Sequence, residues 1–255
     1  MRRDAATTGL NAAQAAAAER GLKGMIPDDR GRPFLDHVIS SLADAGISDV
    51  CLVIGTDHDA IREHFALRPP RRVRVSFAVQ HEPTGTADAL LCSESWTQGD
   101  DFLALNADNL YPTEAIRALV DGRGPGVIAF DRDALVRESN IAPARIGAFA
   151  ILSLRDDDTL AGIVEKPGDD YAEGTRSSPL ISMNIWRFDR DFFSACRDVP
   201  LSPRGEHELP LAVALAISRG MTFRAIRISA GVLDLSISGD IANVADRLGA
   251  TEIDP

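Results

Sequence analysis

Asp49–Gly55 reads DVCLVIG, and this stretch decides the fold. Five apolar residues in a row, closed by a glycine, suit a strand buried on both faces, as in a parallel sheet. The residues after it extend the pattern: His58–Phe65 has helical spacing, and Val73–Val79 (VRVSFAV) is rich in β-formers. Upstream, Phe34–Ala45 (FLDHVISSLADA) carries apolar residues at helical intervals and is ended by Gly46. Downstream, the spacing predicts a helix over Thr86–Trp96, a strand over Asp101–Leu105, a helix over Thr113–Val120 and a strand over Gly126–Phe130. Strands alternating with helices at this pitch mean an α/β class with a mostly parallel sheet.

The second half is more mixed. Arg145–Leu154, Ala161–Glu165 and Leu180–Phe188 read as sheet-forming, Glu208–Ser218 as a helix, Phe223–Ile228 as a strand and Asp240–Leu248 as a closing helix. With no internal repeat and no linker-like shift in composition, one continuous domain over residues 23–255 is expected. It follows an alanine-rich arm, residues 1–22, in which Asn11–Arg20 (NAAQAAAAER) is predicted helical with Asn11 as its N-cap.

The 255 residues are 45% hydrophobic and 25% charged, which excludes collagen-like, low-complexity and disulfide-scaffold chains and leaves room for a sizeable core. A net charge of −11 opposes binding to a nucleic-acid backbone. The one dense basic cluster, Arg68, Arg71, Arg72 and Arg74, reads as a solvated loop before a strand. Cys51, Cys92 and Cys196 form no CxxC and sit in apolar contexts, so buried core thiols are expected. No apolar run is long enough to span a bilayer, and Arg2 and Arg3 are followed by no apolar stretch of a secretory signal. A cytoplasmic protein without membrane or nucleic-acid partners is expected.

In open α/β sheets ligands bind at the carboxyl ends of the strands. After Val79 comes Gln80-His81-Glu82-Pro83-Thr84-Gly85-Thr86-Ala87-Asp88-Ala89. The Gln80 amide suits a base edge, and Gly85 lets backbone N–H groups approach a ligand, although Gly-Thr before a helix is also an ordinary N-cap. After Leu105 comes Asn106-Ala107-Asp108-Asn109, where Asp108 is either a magnesium ligand or a turn-forming aspartate. Of 27 basic residues only Lys23 and Lys166 are lysines. A lysine kept on such a background marks either chance or a position where a compact charge works and a planar fork does not. Lys23 lies in Lys23-Gly24-Met25-Ile26-Pro27, and Lys166 in Ile163-Val164-Glu165-Lys166-Pro167, at a strand end closed by proline.

Taken in order, these segments (K-G-M-I-P, G-R-P-F-L-D-H, a strand ending in I-G, Q-x-E-P-T-G-T-A-D-A, L-N-A-D-N, V-E-K-P and S-M-N) resemble the sugar-1-phosphate nucleotidyltransferases from about Leu22 to Leu248. The resemblance implies a Rossmann-like sheet of the nucleotide-diphospho-sugar transferase type. It also implies transfer of a nucleotidyl group from a nucleoside triphosphate, UTP or dTTP, to a sugar-1-phosphate with release of pyrophosphate. On the same basis Lys23 matches the phosphate-binding lysine and Asp108 the Mg2+-binding aspartate. Gln80, Gly85 and Thr86 match the base-binding segment, Glu165 and Lys166 the pair holding the sugar and its phosphate, and Asn184 a sugar contact. A homo-oligomer is a further expectation from the family.

The sequence departs from that family in two places. The family opens with a strand and a G-x-G-T-R-[LM] loop that wraps the triphosphate, and nothing here matches it; the chain starts Met1-Arg2-Arg3-Asp4. The first strand is therefore expected to be missing, through a start codon assigned too late or a truncated gene. That strand is central in the family, so Asp49–Gly55 and Asp101–Leu105 are expected to face each other across a gap with unpaired edges, at a cost in solubility or activity. Leu211 stands near the position of a second metal ligand in several relatives and cannot coordinate, leaving Glu206, Glu208 or Asp234, of which Asp234 is the expected ligand. Against the enzyme stand two other readings: a regulatory, nucleotide-sugar-binding relative that has lost its phosphate loop, and a glycosyltransferase, which the E-K-P motif and the Gln80–Ala89 segment fit poorly. His207 reads as a helix-start surface residue.

Overall fold

Pro33 fixes the entry to helix α1 (Phe34–Asp44), and Gly46, at φ +93°, turns the chain out of it. The computed structural model, which describes residues 14–15, 17, 22–165, 179–236, 238–249 and 252–255, continues through β1 (Asp49–Gly55), α2 (Asp59–Leu67) and β2 (Arg74–Gln80). β1 and β2 pair in parallel, from Asp49 opposite Arg74 to Gly55 opposite Gln80. The arginine cluster between α2 and β2 is held by ion pairs: Arg71 meets Asp254, Arg72 meets Asp44, and Arg74 meets Asp49. Of the alanine-rich arm, Gln14, Ala15 and Ala17 are helical; Asn11 and Arg20 lie outside the described residues.

After β2 come α3 (Thr86–Leu91), α4 (Glu94–Thr97), β3 (Phe102–Leu105), β4 (Asn109–Leu110), α5 (Thr113–Val120), β5 (Gly126–Asp131) and α6 (Arg132–Glu138). The predicted single helix over Thr86–Trp96 is thus two, and Ser93, whose hydroxyl donates to Leu90 O at 2.7 Å, stands at the break. Next follow β6 (Ala150–Leu154), β7 (Leu160–Val164), β8 (Leu180–Ser182), β9 (Ile185–Phe188), α7 (Phe192–Asp198), α8 (Leu209–Ser218), β10 (Arg224–Ile228), β11 (Leu233–Asp234) and α9 (Ile241–Gly249). The expected long strand at Leu180–Phe188 is broken into β8 and β9 by Asn184 at φ +56°.

β3, β9, β5, β8, β6 and β7 form one sheet in that order, with β10 on the other edge of β5. The α/β class holds, with helices flanking the sheet. Parallel pairing, however, is confined to β1–β2 and β5–β10, and the other ladders are antiparallel. The reason is topological: β9 returns between β3 and β5, antiparallel to both, and the β6–β7–β8 excursion is built from hairpin-like reversals. Apolar packing covers both faces. Phe34, Ile39, Ile116 and Phe130 belong to one cluster, and Trp186, Phe188, Phe192 and Phe223 to the other. In the second, the Phe188 and Phe192 rings stack at 3.8 Å.

β1 and β3 do not pair. A cavity of about 810 Å³ lies between them, lined by both strands and by Leu35, Val38 and Leu42 of α1. Val50–Val53 and Phe102–Leu105 are apolar yet only half-buried, as strands with open edges must be. Among the described residues no strand lies between them. Cys51 also lines this cavity and is half-buried, as is Cys92; the expected core thiol is found only at Cys196, which burial pushes up to about 12. Among the described residues no helix is long and apolar enough to cross a membrane.

The loop that leads into α1 is anchored by one buried carboxylate. Asp28 Oδ1 accepts from Arg30 N and Arg32 N at 2.8 and 2.9 Å, and its Oδ2 accepts from Arg32 Nε at 2.8 Å and His37 Nε2 at 3.0 Å. Burial acts to raise the Asp28 pKa, but the bonds from Arg32, His37 and Arg30 outweigh it and hold it below its ordinary 3.8. Burial likewise pushes His37 below its ordinary 6.5, against the pull of Asp28 and Asp36 and with the help of Arg32. A histidine whose folded pKa is depressed stabilises the fold above 6.5 and loses that contribution as pH falls through its ordinary value toward its folded one. The difference in unfolding free energy between pH 7 and pH 5, read from urea titrations, should therefore be smaller in His37→Gln than in the parent; equal differences would refute the assignment.

Candidate active site

At the carboxyl end of β3 the chain turns through Asn106, Ala107 and Asp108 into β4. β4 pairs antiparallel with β11, Leu110 opposite Leu233 and Asn109 opposite Asp234. One step further, Leu235 N donates to Asp108 O at 2.9 Å. This short ribbon sets Asp108 beside Asp234, although the two are far apart in sequence. Lys23 completes the group: its ammonium donates to Ser236 O at 2.6 Å and stands 3.5 Å from Asp108 Oδ2.

The two carboxylates are held differently. Asp234 is fully buried and saturated: Oδ1 accepts from Asn109 Nδ2 at 2.8 Å and from the Ser236 hydroxyl, and Oδ2 accepts from Arg145. Arg145 also grips Asp240 through Nη1, at 2.9 and 3.0 Å, so one guanidinium serves two carboxylates. Asp108 meets the Lys23 ammonium at a longer distance and a backbone N–H of its own turn. Burial is the largest influence on Asp108 and raises its pKa; Lys23 opposes the rise and the Asp234 charge adds to it. A carboxylate whose surroundings disfavour its charge gains more than most from an added cation.

Tyr111, one of two tyrosines in the chain, ties this turn to the next one. Its buried hydroxyl donates to Met183 O at 2.6 Å and lies 3.4 Å from Asn106 N, which donates to it. Burial raises the Tyr111 pKa well above its ordinary 10, so the group stays a neutral donor. It fixes the β8–β9 turn against the Asp108 turn. In that turn Asn184 has φ +56° and a buried Oδ1 with no partner among the described residues. A left-handed residue with an unsatisfied buried acceptor is strained in a way that a ligand donor would relieve.

A second group gathers at the end of β2. Both Gln80 amide hydrogens are used, one donated to Gly85 O at 3.0 Å and one to Asp88 Oδ2 at 2.9 Å. The Gln80 bond, with one from Thr84, holds Asp88 below its ordinary carboxylate value. Gln80 Oε1 is left as its acceptor. Gly85 has φ +130°, and a Cβ there would sit 2.3 Å from His207 O. Around it His207 N donates to Thr84 O and Ala87 N to His207 O, both at 2.8 Å, and Leu209 N donates to the Thr86 hydroxyl at 2.8 Å. The need for glycine at 85 thus comes from the close approach of the His207 backbone, and Thr86 satisfies an end of α8. Both build the loop that carries Gln80. His207, half-buried just ahead of α8, braces that loop with Nδ1 at 2.9 Å from Val199 O, at the helix start where it was expected.

Glu165 follows β7 directly and lies within electrostatic reach of Arg204. Arg204 binds Glu208 at 2.7 Å and meets Glu206 at 3.7 Å, so those two glutamates answer an arginine. Of the three acidic residues left open for a second metal ligand, the structure brings Asp234 to Asp108. Lys166 lies outside the described residues. Among the described residues no group of three or more His, Cys, Asp or Glu could hold a metal. Asn109, Tyr111, Arg145 and Ser236 were not anticipated. Neither Tyr111 nor Arg145 carried a local signal, because their partners Met183 and Asp234 are 72 and 89 residues away.

The family model described as nucleotidyl transferase matches residues 20–228. The chain is 29% identical over 229 residues to the UTP–glucose-1-phosphate uridylyltransferase AglF of Haloferax volcanii, covering 89% of this chain and 87% of that one. It is 26% identical over 223 residues to a glucose-1-phosphate thymidylyltransferase of Streptomyces antibioticus, covering 85% of this chain but only 56% of the relative. Among solved structures, UDP-glucose pyrophosphorylase complexed with UDP-glucose superposes with a TM-score of 0.71 at 14% identity, over 89% of this chain and 90% of that one. A putative glucose-1-phosphate thymidylyltransferase of Bacillus anthracis gives 0.71 at 19% identity, over 91% and 88%. At these identities the two structures speak for the fold.

Two substitutions test this geometry. Gly85→Ala forces a Cβ into the His207 backbone at positive φ and should cost more than about 2 kcal/mol of stability by chemical denaturation. Asp108→Asn removes a charge that its site disfavours, so the melting temperature at pH 7 in EDTA should be at least that of the parent; a clear fall would show that Lys23 alone compensates the carboxylate.

Proposed function

The chain belongs to the nucleotidyl transferase family, and on that premise we propose that it transfers a nucleotidyl group from UTP or dTTP to a sugar-1-phosphate. An oxygen of the sugar phosphate attacks the α-phosphorus; the bond from that phosphorus to the bridging oxygen breaks, and pyrophosphate leaves with the electron pair. The products are pyrophosphate and a nucleotide sugar. The observation that carries the proposal is the meeting of Lys23, Asp108 and Asp234 at the carboxyl end of β3. An ammonium and two carboxylates in one place suit a triphosphate accompanied by a hard cation.

Phosphoryl chemistry of this kind needs positioning and charge neutralisation more than covalent help from the protein. Lys23 holds phosphate oxygens as a compact positive charge. Mg2+ fits the pair of carboxylates, because it binds one or two of them and takes its other ligands from phosphates and water. Asp108, whose charge is poorly compensated, would be its chief ligand and Asp234 the neighbour; bound there, the ion would neutralise phosphate charge. Gln80 Oε1 accepts the imino N–H that uracil and thymine share, which is why both bases remain in the proposal. Asn184 Oδ1 accepts from a sugar hydroxyl, Glu165 from another, and Lys166 binds the sugar phosphate. A cytoplasmic homo-oligomer is part of the same proposal.

Pyrophosphate release, followed with Mg2+ over a panel of nucleoside triphosphates and sugar-1-phosphates, tests it. Release should require one pyrimidine triphosphate and one sugar-1-phosphate together. Lys23→Ala and Asp108→Ala should each lower kcat/KM at least 100-fold, about 3 kcal/mol of transition-state stabilisation. A folded protein that releases nothing with any pair would instead be a nucleotide-sugar-binding relative without catalysis.

A further inference from the structure

β2 ends at Gln80, and the loop that follows is docked on the segment ahead of α8. His207 N donates to Thr84 O, Ala87 N to His207 O and Leu209 N to the Thr86 hydroxyl, all at 2.8 Å. These bonds settle where Gly85 O and the Asp88 carboxylate stand, on either side of the first turn of α3.

Gly85 O and Asp88 Oδ2 are both acceptors. Gln80 Nε2 donates to the first at 3.0 Å and to the second at 2.9 Å. Turning the amide over would bring Oε1 against both oxygens with no hydrogen between them. The chemistry of the neighbours therefore dictates which end of the amide faces the loop. The Asp88 carboxylate stays ionised, since the bonds from Gln80 and Thr84 hold it below its ordinary 3.8, and a charged acceptor makes the stronger bond.

The other end of the amide is Oε1, which has no partner among the described residues. Unlike Asn184 Oδ1, it is not an acceptor sealed in the interior without a partner. Gln80 is half-buried at the carboxyl end of β2, opposite Gly55 at the end of β1. A glutamine free to turn offers a donor or an acceptor. This one offers an acceptor alone.

We propose that Asp88 is the positioning residue for base choice: by holding the Gln80 amide in one direction, it makes the site take a pyrimidine with a ring N–H, uracil or thymine, and turn away cytosine. The proposal rests on the reading of Gln80 as the residue that meets the base, and deepens it. Uracil and thymine present N3–H to a fixed acceptor. Cytosine has nearly the same shape but presents a lone pair at N3, which Gln80 Oε1 would oppose with another. An amide able to turn would answer cytosine with an N–H. Asp88 thus acts on the nucleotide only through Gln80.

Isothermal titration of the full chain with UTP and with CTP, each with Mg2+, tests this. UTP should bind the parent at least about tenfold more tightly than CTP, because a site built around one hydrogen bond rejects the analogue that lacks it. Asp88→Ala should narrow that ratio at least about fivefold, by weakening UTP and not CTP, since the amide then has one anchor in place of two. Asp88→Asn keeps an acceptor in the same place and should restore most of the ratio. Gln80→Met removes the amide, and in that background Asp88→Ala should change nothing further. Should Asp88→Ala not fold, Asp88→Ser, whose hydroxyl is too short to reach Gln80, is read in its place. Equal affinities in the parent or an unchanged ratio in Asp88→Ala would overturn the proposal. So would an equal loss for both nucleotides, which would make Asp88 a support of the fold alone, or no restoration by Asp88→Asn. The same narrowing in the Gln80→Met background would also overturn it, by showing that Asp88 acts without Gln80. Binding is read without turnover. A chain that selects UTP but releases no pyrophosphate keeps this proposal and loses the catalytic one, and a chain that turns over UTP and CTP alike does the reverse.

Discussion

The short antiparallel pairing of β4 with β11 is the contact on which the site depends. Two opposed residue pairs and one further backbone bond, Leu235 N to Asp108 O, bring a late segment of the chain onto the end of β3. Without it, Asp234, Ser236 and the carbonyl that receives Lys23 would be elsewhere, and Asp108 would be an isolated turn aspartate. So few ladder bonds are weak alone. They persist because Asn140 brackets Asp234 at its N–H and C=O, and Tyr111 braces the same turn from below.

Charge then distinguishes two neighbouring carboxylates. Arg145, the Asn109 amide and the Ser236 hydroxyl satisfy Asp234, which acts first as a structural anchor. Asp108 is left with a distant ammonium and an unfavourable field. One satisfied and one poorly satisfied acid thus stand side by side. In the loop from Gln80 to Asp88 the same division of labour recurs. Gly85 and Thr86 are consumed in docking the loop on His207 and Leu209, and Gln80 spends its two donors on the loop while keeping one acceptor.

Among the described residues the β1–β2 pair stands apart from the larger sheet because strands pair by their edges, and there β1 and β3 each have one edge with no strand beside it. The half-exposure of Val50–Val53 and Phe102–Leu105 follows from that gap and not from their composition, which is that of interior strands. Cys51 is half-buried for the same reason, whereas Cys196, packed among aromatic rings, behaves as a core residue.

Much of this was legible in the chain itself. Periodicity located α1, β1, α5 and β10 to within a residue or so, since burial on one stripe or on two faces leaves a direct trace in the order of apolar residues. Ordered motifs pointed to the family. Local order does not report pairing direction, so the antiparallel returns of β8 and β9 and the two-residue strands β4 and β11 went unseen. Nor does it report which polar group meets which across long separations. Arg145 with Asp234, Tyr111 with Met183 and Gly85 with His207 are contacts made by folding, and only the tertiary structure decided whether a motif residue faces the site or supports it. The physical reason is that apolar burial is written along the chain, while a hydrogen bond is specified by two positions in space.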